Sequence, residues 1–190
     1  NRAYIVPENE KAAVVNVIFN DGALARDVVG QSAAFIAKKA GIVIPEDTKV
    51  LLVEASGPGR ADIICKEKMC PVLAAIPYGY FDEALEIAEM NLMMEGNGHT
   101  AGIHSNSQAN IIKAGTELSV SRLIVNAICA TTAGGSIQNG LPVTNTLGCG
   151  SWGNNSISEN FTYKHLLNIT RIAPLSARIH VPTDEEIWNN

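Results

Sequence analysis

The chain is short of positive charge. Its 190 residues carry 14 Lys and Arg against 19 Asp and Glu, a formal charge of −5. Neutralising a phosphate backbone takes a basic surface, so nucleic acid is excluded as a partner. Long apolar runs are also missing. None approaches the ~20 residues of a bilayer span, and the N-terminus shows no signal-peptide pattern. The expectation is a cytoplasmic protein with no membrane partner. Cysteine is scarce: Cys65, Cys70, Cys129 and Cys149 form no C-x-x-C pair, and His99, His104, His165 and His180 do not complete a zinc spacing, so no metal is expected. Four cysteines in a chain of this size do not make a disulfide framework, and reduced thiols are the simplest reading. Phosphate loops are absent as well. Gly134-Gly135-Ser136 and Gly148-Cys149-Gly150 lack the strand–loop–helix context, no Gly-Lys-Ser/Thr occurs, and there is no dinucleotide fingerprint.

What is present is the composition of a soluble globular domain, 46% hydrophobic and 17% charged, long enough to bury a sizeable core. Ala12, Val15, Ile18 and Phe19 follow Pro7 at helical spacing, so the chain is expected to open on an amphipathic helix that Asn20-Asp21-Gly22 breaks. A second helix is expected over 31–40, stopped by Gly41. Strands are read at 49–54, 72–76, 100–104 and 122–126, and helices at 81–91 and 109–116. In the third helix Phe81, Ala84, Leu85 and Ala88 share a face, and Asp82 and Glu83 suit its N-terminal dipole. Strands alternating with helices imply an α/β fold, a mostly parallel sheet with flanking helices. Residues 127–160 carry almost no periodicity, and a structureless stretch that long in a compact domain is usually functional.

Within that stretch, Thr146–Asn160 places Gly148, Gly150, Gly153 and Trp152 within six residues. Glycine at this density lets backbone take positive φ and approach a ligand or another chain closely; an ordinary irregular loop is the plainer alternative. Three side chains invite chemistry. Glu67 stands at the entrance of a strand, but a solvated carboxylate between Lys66 and Lys68 reads the same way. His99 follows Gly96-Asn97-Gly98, a setting in which histidine is more often structural. Cys149 sits among glycines and suggests a nucleophile, although Arg122 is the nearest lysine, arginine or histidine the local sequence offers to Cys129 and none lies within ten residues of Cys149.

These strings together resemble a known family. Thr146-Leu147-Gly148-Cys149-Gly150-Ser151-Trp152-Gly153-Asn154-Asn155-Ser156 is similar to a signature of the CoA-acylating aldehyde dehydrogenases. Cys65–Leu73 resembles that superfamily's Glu-x-aromatic-Gly-Pro-Val segment, with Met69 in place of the aromatic and Cys70 in place of the glycine. Gly96–Ser105 resembles the acylating branch's Gly-His-Thr strand. Ser121–Asn126, Thr131–Ser136 and Lys164–Ile169 continue the match in order, and Val181-Pro182 with Glu185-Glu186-Ile187-Trp188 is similar to the tail of the succinate-semialdehyde subgroup.

The resemblance implies an α/β catalytic-domain portion over 1–160, with a long glycine-rich loop region, and a C-terminal helix/strand tail over 161–190. In the tail 169–172 or 178–181 would join a partner's sheet in a homo-oligomer. It implies oxidation of a small aldehyde, carrying a carboxylate if the subgroup holds, with NAD or NADP and coenzyme A as co-substrate. The missing parts would be an N-terminal nucleotide-binding domain and the cysteine nucleophile, because no Cys-x-Ser-Glu-Gln-like segment occurs. Glu67 matches the glutamate that holds the nicotinamide ribose, and Met69 the position beside the nicotinamide ring. His99 matches a histidine close to the reactive cysteine, suited to moving the coenzyme A thiol proton. Leu147 and Leu141 match the aldehyde tunnel wall, and Cys149 lies in or near that pocket without attacking. Arg122, at the start of a strand, is a candidate for a substrate carboxylate or for a structural ion pair. The alternative reading is a non-catalytic oligomerisation or binding module of the same fold.

Overall fold

The computed structural model describes residues 2–188. The chain opens on a strand, β1 (Ala3–Val6), and α1 (Glu8–Ile18) follows it. The expected opening helix is therefore the second element. Four residues are too few to show a period, and β1 is fixed by a remote partner, pairing in parallel with β4 (Val50–Glu54) in the register Ala3 to Val50. The Asp21-Gly22 break is a hairpin joining β2 (Phe19–Asn20) to β3 (Ala23–Leu24). Asp21 and Gly22 have φ of 50° and 77°, the two positive values a tight two-residue hairpin turn needs. α2 (Ala33–Ala40) starts where Ser32 accepts a hydrogen bond from the Phe35 amide and stops at Gly41 with φ 71°, the left-handed cap expected of it.

Two parallel sheets result, where the sequence suggested one. β1, β4 and β5 (Val72–Ala75) form the first, in the order β1-β4-β5. β6 (Gly98–Ile103) and β7 (Val120–Val125) form the second. α3 (Phe81–Met94) and α4 (Gln108–Glu117) flank them. The 3₁₀ turn at Gly59–Ala61 presses on α3: the Gly59 amide donates to Asn91 Oδ1 at 2.7 Å, and a Cβ at Gly59 would meet the Met90 carbonyl. The main core lies between α1, α2 and the first sheet, with Val14, Ile18, Val28, Ile36, Leu51, Val53 and Ile64 completely buried. A smaller cluster of Leu85, Ala114 and Leu118 fills the space between α3, α4 and the second sheet.

Beyond β7 regular structure nearly ends. A one-turn helix, α5 (Cys129–Thr132), precedes an irregular stretch closed by a bridge between Leu147 and Asn160. In the tail, a 3₁₀ turn at Tyr163–Leu166 and a short helix, α6 (Asp184–Trp188), are the regular elements among the described residues. Residues 169–172 and 178–181 are in no strand, because a β-strand needs a partner for its backbone groups and none pairs with them here. No helix of the described residues is long and apolar enough to cross a membrane.

Candidate functional site

The start of β6 and the glycine-rich loop meet edge to edge. Gly98 has φ 80°, and a Cβ there would land on the Cys149 carbonyl; one at Gly153 would land on Cys149 Cβ. Gly148 is closed in the same way by the Ile157 carbonyl. The loop folds back on itself through Gly148 N–H to Glu159 O (3.0 Å), Gly150 N–H to Ile157 O (2.9 Å) and Asn155 N–H to Gly150 O (2.8 Å). The glycine density is thus a packing requirement. It wedges Cys149, only 7% exposed, against the first residues of β6.

That wedge brings Cys149 to His99, fifty residues away in sequence. Cys149 Sγ lies 3.3 Å from His99 Nδ1 and 3.5 Å from Nε2. A sulfur nearly equidistant from both ring nitrogens cannot lie along either in-plane lone pair, and a position off Cε1 in the plane would clash with that carbon. The sulfur therefore sits over the face of the ring. His99 is an exposed residue, and among the described residues neither nitrogen has an in-plane partner. His165 shows the opposite state. Its Nδ1 accepts from the Thr162 amide at 2.9 Å, its Nε2 reaches Glu159 Oε1 at 3.0 Å, and its ring stacks on Phe161. It is a structural histidine, and His99 has the free one. His104 ends up past β6, lining a separate cavity with Tyr78 and Phe81.

Arg122 is the residue local reading set aside. It is 5% exposed, and the ion pair considered for it is not there: no carboxylate lies within reach among the described residues. Its Nε donates to Thr100 Oγ1 at 3.0 Å and Nη2 to the His99 carbonyl at 3.3 Å, while Nη1 is buried without a partner. Burial pulls the guanidinium below its ordinary value, and the nearby Cys149 and Cys129 thiols oppose that shift. The Cys129 thiol is pushed up by burial and drawn back by Arg122. Sequence could show neither contact, since β7 and the loop reach β6 only in three dimensions. Ser121 Oγ and Asn97 Oδ1, on the same strand starts, are likewise buried without partners.

The other sequence candidates divide. Glu67 is exposed on the loop before β5, and no hydrogen bond or ion pair engages its carboxylate among the described residues. Its amide donates to Glu95 Oε2 at 2.7 Å, and Lys66 Nζ stands 3.7 Å from Glu95 Oε1. Glu95 ends α3, four residues before His99, so the Glu67 loop is pinned to the turn that delivers His99. Met69 is 61% exposed with φ 43°, its carbonyl accepting from the Gly30 amide. Leu147 pairs with Asn160 and its carbonyl faces Cys149 Sγ at 3.8 Å. Leu141 lines an open cavity of about 470 Å³ with Ser121, Arg122 and Asn139. A free carboxylate on an exposed loop suits ribose hydroxyls, which donate; the exposed Met69 is open to an apolar ring.

Known proteins share this chain's sequence and architecture. It is 52% identical over 189 residues to the acetylating succinate-semialdehyde dehydrogenase of Clostridium kluyveri, a match covering 99% of the chain and 42% of that enzyme. It is 42% identical over 163 residues to the sulfoacetaldehyde dehydrogenase of an Acholeplasma species, covering 86% and 34%. An acetylating aldehyde dehydrogenase from Geobacillus thermoglucosidasius superposes with a TM-score of 0.83 at 36% identity, over 95% of the chain and 40% of that structure. No family model matches. The chain spans less than half the length of each of these relatives.

Proposed function

We propose that this chain, similar in sequence and fold to CoA-acylating aldehyde dehydrogenases, forms the proton-transfer and nicotinamide-positioning portion of such an enzyme. The reaction joins a small aldehyde to coenzyme A, succinate semialdehyde by the 52% identity to the Clostridium kluyveri enzyme. NAD or NADP, when bound, takes the hydride. A cysteine outside this stretch adds to the aldehyde, and the thioester left after hydride transfer is handed to coenzyme A.

The observation that carries the reading is the free imidazole of the exposed residue His99 at the mouth of the Cys149 loop. A ring with both nitrogens open can take the thiol proton of coenzyme A as its sulfur attacks. Glu67, tied to the same turn through Glu95, accepts the ribose hydroxyls, and charge-assisted bonds of that kind are the stronger ones. Leu141 and Leu147 supply apolar wall for the aldehyde. The tail of 161–190 serves a homo-oligomer: Ile172, Leu175, Ile179 and Val181 are each at least 70% exposed, surface that a second copy would cover.

The test is a pre-steady-state experiment on a full-length protein that contains this chain. His99→Ala should slow acyl transfer to coenzyme A by roughly 10²–10⁴-fold and hydride transfer far less. Glu67→Gln should slow hydride transfer by about tenfold or more. A His99→Ala protein with a shrunken hydride burst and normal acyl transfer would refute the assignment of His99, and unaltered hydride transfer in Glu67→Gln that of Glu67.

A further inference from the structure

The loop holds Cys149 more firmly than a tunnel wall requires. Its carbonyl abuts Gly98, its Cβ abuts Gly153, its amide donates to Asn155 Oδ1 and its carbonyl accepts from the Gly153 amide. The contact with Gly98 sets Cys149 against β6, and the contacts with Gly153 and Asn155 fix it within its own loop. Above that sulfur lies a ring with no other side-chain partner among the described residues, on a residue more than a third exposed. An imidazole in that position is free to turn about its side-chain torsions unless something holds its face. The acid–base role proposed above requires one ring nitrogen to point at the incoming thiol.

We propose that Cys149 is a positioning residue: its clamped sulfur is the platform on which the His99 imidazole lies flat, leaving both nitrogens open to reactants. Sulfur is suited to this. It is polarisable, it packs favourably on aromatic faces, and as a weak hydrogen-bond donor it does not compete for the ring nitrogens. The His99 backbone is held by Arg122, which bonds the His99 carbonyl and the neighbouring Thr100 hydroxyl. The histidine is fixed at its backbone by a guanidinium and across its face by a thiol, and neither occupies its reacting edge. The inference rests on the proposed role of His99 and assigns Cys149 no bond-making step.

A mutant cycle in the full-length protein decides the matter, with acyl-transfer rates normalised to the amplitude of the hydride burst so that only folded, acylated sites are counted. Misplacing a catalytic group by about 1 Å can cost of the order of 10²-fold. Cys149→Ala should therefore slow acyl transfer by roughly 10- to 100-fold, more than it slows hydride transfer. In a His99→Ala background the same change should cost less than about twofold, since residues acting as a unit are not additive. Cys149→Ser, which keeps a side-chain heteroatom in place, should recover part of the loss, and it carries the cycle if the alanine variant does not fold. Equal costs of Cys149→Ala with and without His99 would overturn the proposal alone. A His99→Ala enzyme with normal acyl transfer would overturn it together with the reading of His99. A Cys149→Ser enzyme with no burst would make Cys149 the nucleophile and overturn both.

Discussion

Residues 2–76 and residues 129–162 are held together by different forces. Of the nine largest fully buried side chains, eight precede residue 77: Val14, Ile18, Val28, Ile36, Leu51, Val53, Ile64 and Val72. The ninth is Asn160, an amide. The early region is a helix-covered parallel sheet driven by apolar burial. The late region is kept in shape by backbone hydrogen bonds and glycines that let chain segments touch, and by Asn160, whose Nδ2 donates to the Ala133 and Pro142 carbonyls at 3.1 and 2.8 Å. The proposed site sits where the late region meets β6. Apolar burial is tolerant of small shifts and glycine-to-carbonyl contact is not, so the second kind of packing is the one suited to fixing a side chain.

Two variants break the comparison most sharply. Leu51→Ala opens the middle of the buried core and should cost about 2–5 kcal/mol in urea unfolding. Acyl transfer per folded site should be nearly untouched. Gly98→Ala drives a Cβ into the Cys149 carbonyl at a positive φ and should cost about 1–3 kcal/mol while removing most acyl transfer per folded site. If Leu51→Ala damages the folded site as much as Gly98→Ala, the division between a stabilising region and a positioning region is wrong.

Acid separates the regions next. Lys11 on α1 bonds Asp62 at 2.8 Å, with the two side chains 12% and 10% exposed. Burial alone would raise the Asp62 carboxyl. Hydrogen bonds from Lys11, Ser56 and the Ile64 amide outweigh it and hold the carboxyl at about 2, against an ordinary 3.8. A carboxyl depressed in the folded state contributes stability that is complete above its unfolded pKa and is lost as pH falls through the folded one. Between roughly pH 4 and pH 2 the protein should lose about 2 kcal/mol from this group. Lys11→Met should lift the folded value toward the ordinary one and flatten that part of the urea-stability profile. An unchanged profile in Lys11→Met would remove the pair from the account of the early region.

The contrast also explains what the sequence disclosed. α1, α2, α3, α4 and β4 through β7 were legible because each carries its own period, cap or breaker; Ser32 and Gly41 bracket α2 as their residue types predict. β1 was not, since its identity depends on β4, some forty-seven residues on. The resemblance was legible through strings that the late region keeps for close packing, above all Gly148 to Gly153. The relation of Cys149 to His99 was not, because nothing within ten residues of Cys149 announces an imidazole or a guanidinium. The glycines that let Cys149 approach β6 read locally only as flexibility.

The smallest effect on the fold, and the sharpest on assembly, is expected from the tail. In the early region Val14, Ile18, Val28, Ile36, Val53, Ile64 and Val72 are fully buried; in the tail the same residue types, with Leu175, stand 70–98% exposed at Ile172, Leu175, Ile179 and Val181. Every described residue from 170 onward is exposed, so its removal takes nothing from either core and should shift the monomer's unfolding free energy by no more than about 0.5 kcal/mol. Four large apolar side chains this exposed within one ten-residue stretch, 172–181, suit an interface that a second copy would cover. In a full-length protein that contains this chain, deleting 170–190 should therefore lower the oligomeric state seen by sedimentation while leaving the melting of dissociated subunits nearly constant. An unchanged oligomer would show that the tail is not where copies meet. A large loss of monomer stability would show that the segment packs within its own subunit, and the contrast between buried early residues and an uncovered tail would then hold only for the isolated chain.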